Sequence, residues 1–287
     1  MNKIFTSLFI VFVFFISSNT FAQSDSIVLR DVSWNGTSPA GSTELFIPSA
    51  NALLAGFIYK ANGAQKHSTL LLLHGYPGNE RNLDLAQVVR SHGWNVIYVD
   101  YRGSWGSQGK FSFKNCVDDA INVVSFCKKY QDSLQIDTSN IVLFGHSMGG
   151  WVCLKAIQQL PTIKKAFILS GWDIYHQYKR QLTGTDLTAF NINPDTLGKY
   201  YVLNGSLKER FEPVIKRDDY YNLEKNIQSL KGKQIIMLDE HDRNKKIAEA
   251  IENLNPPFFK YYVWQTDHAF TNKRVALMNM LLSFLDR

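Results

Sequence analysis

IVLFGHSMGG, residues 141–150, decides the reading of this chain. Ile141 to Phe144 is an unbroken apolar run, the pattern of a strand buried on both faces. Met148 to Leu160 follows directly with apolar residues at helical spacing. Between them lies Gly145-His146-Ser147-Met148-Gly149, a strand-to-helix turn with a serine at its apex. A serine hydroxyl is a poor nucleophile until a base removes its proton and the backbone exposes it. A sharp turn does the second job, with glycines on either side leaving room for the neighbouring strand and helix. The helix N-terminus also favours negative charge developing nearby.

The same alternation extends outward. Upstream, Ile27 to Trp34, Glu44 to Ile47 and Ala52 to Lys60 read as short strands. Ser68 to Leu73 is a second buried strand, followed by a helix near Arg81 to Ser91 that stops at His92-Gly93. Strand Asn95 to Val99 and helix Cys116 to Tyr130 complete the upstream half. Downstream come strand Ala166 to Leu169, strand Gln234 to Leu238, helix Lys245 to Leu254, strand Phe258 to Val263 and helix Asn272 to Leu285. Strands alternating with helices predict an α/β fold with a mainly parallel central sheet and helices on both faces. In such sheets ligands bind beyond the carboxyl ends of the strands, where Ser147 lies. The alternation is interrupted at 172–215, read as a small helical cap rich in Trp, Tyr and Phe. Those aromatics either line a substrate cleft or fasten the cap to the core.

The remaining chemistry is sought at the other strand ends. His268, in Thr266-Asp267-His268-Ala269-Phe270 after the last strand, is positioned to serve as general base. An orienting acid belongs after strand Gln234 to Leu238, where Asp239-Glu240-His241-Asp242 offers three carboxylates. Asp242 is preferred over Asp239, because a turn must intervene before the acid can point back to the histidine. A tetrahedral intermediate needs backbone N–H donors, and those of Tyr76 and Met148 are the candidates. His74, at a strand end, reads as structural. A metal site built from His146, His241, Asp239 and Asp242 lacks the ligand spacing on one element that such sites show.

Taken together, LLLHGYPG, VDYRGSWGSQG, LFGHSMGG, LDEHD and TDHAF resemble the α/β-hydrolase superfamily over nearly all of the mature length. The order Ser, Asp, His is that superfamily's own. The resemblance implies Ser147 as nucleophile, His268 as base, Asp242 as orienter, and Tyr76 and Met148 as oxyanion donors. Asp100-Tyr101-Arg102-Gly103 is similar to a loop of bacterial esterases, dienelactone-hydrolase-like proteins and prolyl-oligopeptidase-like peptidases, in which Arg102 would be structural. Two departures concern the acid. Asp239 stands where the family often has Gly, and Arg243-Asn244-Lys245-Lys246 replaces an apolar-Pro pair.

Composition sets the setting. The chain has 287 residues, 45% hydrophobic and 20% charged, with a formal charge of +6. Its basic residues are scattered, which argues against a nucleic-acid footprint. Ile4 to Ile16 is almost wholly apolar after Lys3, and Thr20-Phe21-Ala22 supplies small residues before a cut. This layout predicts a signal peptide over 1–22, cleaved after Ala22, and a secreted or periplasmic domain over 23–287. The apolar run is too short to span a bilayer, so no stable membrane insertion is expected after cleavage. Cys116, Cys127 and Cys153 read as buried thiols.

The expectation is a serine hydrolase of carboxylic esters, working through an acyl-enzyme with no metal or organic cofactor, on a small-molecule ester or short peptide. A serine peptidase of aminopeptidase or dipeptidyl-peptidase type is the alternative. A non-catalytic binding protein on the same fold is a third reading, with cofactor-free lyase or haloperoxidase-like chemistry on the same residues beyond it.

Overall fold

The computed structural model describes residues 31, 32, 34–181, 201–216 and 219–287. The expected signal peptide and most of the strand expected at Ile27 to Trp34 lie outside them. Eight strands form one sheet in the order β1-β2-β4-β3-β5-β6-β7-β8. These are β1 (Gly41–Ser49), β2 (Ala52–Lys60), β3 (His67–Leu73), β4 (Asn95–Val99), β5 (Ile136–His146), β6 (Lys165–Leu169), β7 (Gln234–Asp239) and β8 (Phe258–Val263). β1 with β2 and β2 with β4 are antiparallel, and every other pairing is parallel. The mainly parallel sheet expected from the alternation is therefore present.

Helices cover both faces. α2 (Phe113–Lys129), α3 (Met148–Gln159) and α6 (Lys245–Glu252) pack on one face through Val117, Trp151 and Ile247. α1 (Leu83–Ser91) and α7 (Arg274–Leu285) pack on the other through Leu85, Val89, Leu281 and Phe284. Each such side chain contributes roughly 1.5–3 kcal/mol relative to exposure. In α3 every residue from Met148 to Ile157 is buried, as for a helix with protein on all sides. α2 begins at Ser112, whose hydroxyl accepts from the Asn115 N–H at 3.1 Å, and ends with Lys128 and Lys129 in its last turn.

Two predicted features find their structural reason here. Arg102 donates through Nε to Asp119 Oδ1 at 2.6 Å, and its backbone N–H donates to Oδ2 at 2.8 Å. Arg102 thus ties the loop after β4 to α2 and stands apart from the site. Cys116, Cys127 and Cys153 are free, buried thiols.

Of the expected cap, α4 (Ile174–Gln181) and α5 (Leu207–Ile215) are described, whereas Phe190 and Tyr200 lie outside the described residues. Ser206 and Glu209 form a reciprocal capping box that starts α5. The described aromatics divide between a cleft and the interior. Trp172 lines the cleft described below, while Tyr175 and Phe211 are buried.

Candidate active site

Ser147 sits between β5 and α3 with φ 58° and ψ −121°. A non-glycine residue there costs roughly 1–3 kcal/mol, held in place by its surroundings. The restraints are backbone hydrogen bonds. The Ser147 N–H donates to Leu169 C=O, and its carbonyl accepts from the N–H groups of Gly150 and Trp172, each at 2.9 Å. The flanking glycines are required by close approach. A Cβ on Gly145 would lie 2.1 Å from Gly149 O, and one on Gly149 would lie 1.9 Å from Leu73 O. The turn can therefore pass between β3 and α3 only without those side chains.

Ser147 and His268 line one cleft of about 530 Å³, together with Tyr76, Trp172, Gln177, Glu240, His241 and Arg243. The structure brings the predicted nucleophile and base to the same opening. Met148 is the first residue of α3, so its N–H belongs to the helix end that has no intrahelical acceptor. Tyr76 forms the facing wall, with its ring against Phe111, Phe113, Trp172 and Phe211. Its hydroxyl accepts from Arg210 Nη1 at 3.2 Å.

The carboxylate beside His268 is not the one expected from the sequence. His268 Nδ1 lies 2.9 Å from Glu240 Oε1, whereas Asp242 is exposed and opens a 3₁₀ turn spanning Asp242–Asn244. Asp239 is engaged elsewhere. It is fully buried and accepts from Asn244 Nδ2 at 3.0 Å and from the Tyr261 hydroxyl at 3.0 Å. The physical reason is reach. Glu240 is the first residue beyond the end of β7, and its extra methylene spans the gap that a turn was expected to close.

Sequence reasoning also missed Ser170, at the end of β6. Its hydroxyl donates to Glu240 Oε2 and stands 2.9 Å from His268 Nδ1. A histidine N–H at Nδ1 therefore finds two acceptors, which leaves the Nε2 lone pair as the basic end. Only the pairing of β6 with β7 sets Ser170 beside Glu240, so no local motif marks it.

Electrostatics follows from these contacts. Burial would raise the Glu240 carboxyl, but hydrogen bonds from His268 and Ser170 outweigh it and hold the group at about 2. Burial pushes Asp239 the other way, to about 6, against the hydrogen bonds from Asn244 and Tyr261. His146 is lowered to about 4 by burial and then by the neighbouring His268, so it is neutral near pH 7. Its Nε2 meets the His268 carbonyl at 2.9 Å, which makes it a support for the loop carrying His268. His74 is likewise lowered to about 4 by burial, with its ring against Tyr101 and Nδ1 donating to Gly75 C=O at 2.7 Å. Both histidines are structural.

The family described as serine aminopeptidase, S33, matches residues 64–185, less than half of the chain. Cutinase 1 of Thermobifida cellulosilytica is 27% identical over 133 residues, covering 44% of this chain and 48% of that protein. Protein ABHD12B of Homo sapiens is 24% identical over 207 residues, covering 68% of this chain and 53% of that protein. The chain thus spans about half the length of these curated relatives. Among solved structures, the esterase Pf2001 of Pyrococcus furiosus superposes with a TM-score of 0.64 at 17% identity, covering 86% of this chain and 91% of that one. The acylaminoacyl peptidase of Pyrococcus horikoshii gives a TM-score of 0.64 at 15% identity, covering 86% of this chain and 41% of that one.

Proposed function

We propose that this chain, whose fold is that of the α/β-hydrolase superfamily, is a serine hydrolase of carboxylic esters acting through Ser147, His268 and Glu240. The observation that carries this reading is the Glu240 contact on His268 Nδ1, in a cleft shared with the strained Ser147. His268 takes the proton from Ser147 Oγ through Nε2 as the hydroxyl attacks the substrate carbonyl. Glu240 fixes the imidazole tautomer and offsets the imidazolium charge. The N–H groups of Met148 and Tyr76 receive the negative charge that forms on the carbonyl oxygen. His268 then gives its proton to the departing alcohol, and water releases the acid by the same steps in reverse. The residues just named supply every proton transfer in this scheme.

A second reading is amide hydrolysis, favoured by the serine aminopeptidase match over residues 64–185. The aromatic wall of Tyr76 and Trp172 favours apolar or aromatic acyl and alkyl groups. We therefore expect higher kcat/KM on short-chain and aromatic p-nitrophenyl esters than on aminoacyl or dipeptidyl naphthylamides. The ratio between the two panels is the informative quantity, because activated esters react readily with any serine hydrolase. Equal or greater kcat/KM on the amides, abolished by Ser147→Ala, makes the protein a peptidase.

Export is part of the same proposal and rests on the apolar run that ends at Thr20-Phe21-Ala22. N-terminal sequencing of exported protein is expected to begin at Gln23. Recovery of the intact Met1 form from the membrane fraction would indicate an anchor instead.

A further inference from the structure

We propose that Arg243, with His241 beside it, forms an anion subsite on the leaving-group side of the cleft. The preferred substrates would then be those whose departing alcohol or amine carries a carboxylate. This rests on the serine-hydrolase reading and extends it to the substrate class.

Arg243 and His241 line the same cleft as Ser147 and His268. The Arg243 side chain is 38% exposed, against 1% for its partner Glu240. Its Nη2 donates to Glu240 Oε1 at 2.8 Å. An arginine carries five N–H donors in a planar fork suited to carboxylates, so one such bond leaves most of the fork for a ligand. Glu240 takes one of these donors. Its carboxylate is buried and already faces three donors, on Arg243, His268 and Ser170.

Three further carboxylates have partners of their own. Asp173 holds His176 at 2.7 Å and Glu224 holds Lys246 at 2.6 Å. Asp239 is buried against Asn244 and Tyr261. Asp242 is exposed and does not line the cleft.

The direction of the reaction assigns the side. His268 must deliver its proton to the departing atom, so the leaving group lies against the histidine wall. Glu240 contacts His268 and Arg243 contacts Glu240, which sets Arg243 on the His268 side.

The test compares two butyryl esters of nearly equal size, one of 3-hydroxybenzoate and one of 3-hydroxybenzamide. A charge-assisted contact of this kind is worth roughly a ten- to hundred-fold preference for the benzoate ester in kcat/KM. The preference should shrink as salt is added. Arg243→Met should erase it through the KM of the benzoate ester, and Arg243→Lys should retain part of it. Equal kcat/KM for the two esters in the unmodified protein overturns the subsite. So does an Arg243→Met variant that slows both esters by one common factor, since Arg243 would then act only through Glu240. Inertness towards both esters also overturns it, and fluorophosphonate labelling of Ser147 then decides separately whether the hydrolase reading survives.

Discussion

Replacing Ser147 with alanine is expected to lower turnover of p-nitrophenyl esters by about 10⁵- to 10⁶-fold. The change removes only Oγ from a residue whose backbone is fixed by its bonds to Leu169, Gly150 and Trp172. Alanine meets the same positive φ as serine, so the fold should survive and circular dichroism should be unchanged. A fluorophosphonate should label the unmodified protein at Ser147 alone, mapped by mass spectrometry, and should leave the variant unlabelled. Activity within ten-fold of the unmodified protein, or an adduct elsewhere on a folded sample, would falsify the assignment of the nucleophile.

The second large effect is expected at Glu240. Glu240→Gln keeps the side-chain shape and leaves an oxygen able to accept from His268 and Arg243, but removes the charge that offsets the imidazolium. Loss of an orienting carboxylate in such a triad costs on the order of 10⁴-fold in kcat. Asp242→Asn should change kcat by less than about three-fold, because surface substitutions away from a site have small effects. Asp242 is exposed and outside the cleft lining. Asp239→Asn falls within the buried contact to Asn244 and Tyr261, so its cost should appear in thermal stability more than in kcat. Steady-state kinetics on the three variants, with melting curves as a folding check, separates these cases. A large loss at Asp242 with Glu240→Gln nearly unaffected would return the acid to its expected position.

The parts of the site visible in the sequence were those fixed by local backbone geometry. Ser147 announces itself because the turn needs Gly145 and Gly149 within two residues of it, where any Cβ would meet backbone. His268 is legible because it follows the last strand and precedes the last helix, and that place in the alternation puts it at the carboxyl edge. The strands and helices were legible for the same local reason. Ala52–Lys60, Asn95–Val99 and Phe258–Val263 carry the bounds that their apolar runs suggest. β5 is longer than its apolar core, since it begins at Ile136, where pairing with His67 extends the strand through polar residues.

The alternation of elements, the mainly parallel sheet, the turn at Ser147 and the loop bearing His268 were thus written in the chain. Each follows from spacing within a few residues. Which of Asp239, Glu240 and Asp242 lies beside His268 emerged from the folded arrangement alone, as did the places of Ser170, His146 and Arg243. Those choices depend on where a side chain points and how far it reaches once β6, β7 and β8 lie side by side. Asp239 turns into the interior towards Tyr261, and Asp242 is carried outward by its 3₁₀ turn. Glu240, longer by one methylene and first beyond the strand, is the carboxylate that reaches both Ser170 and His268.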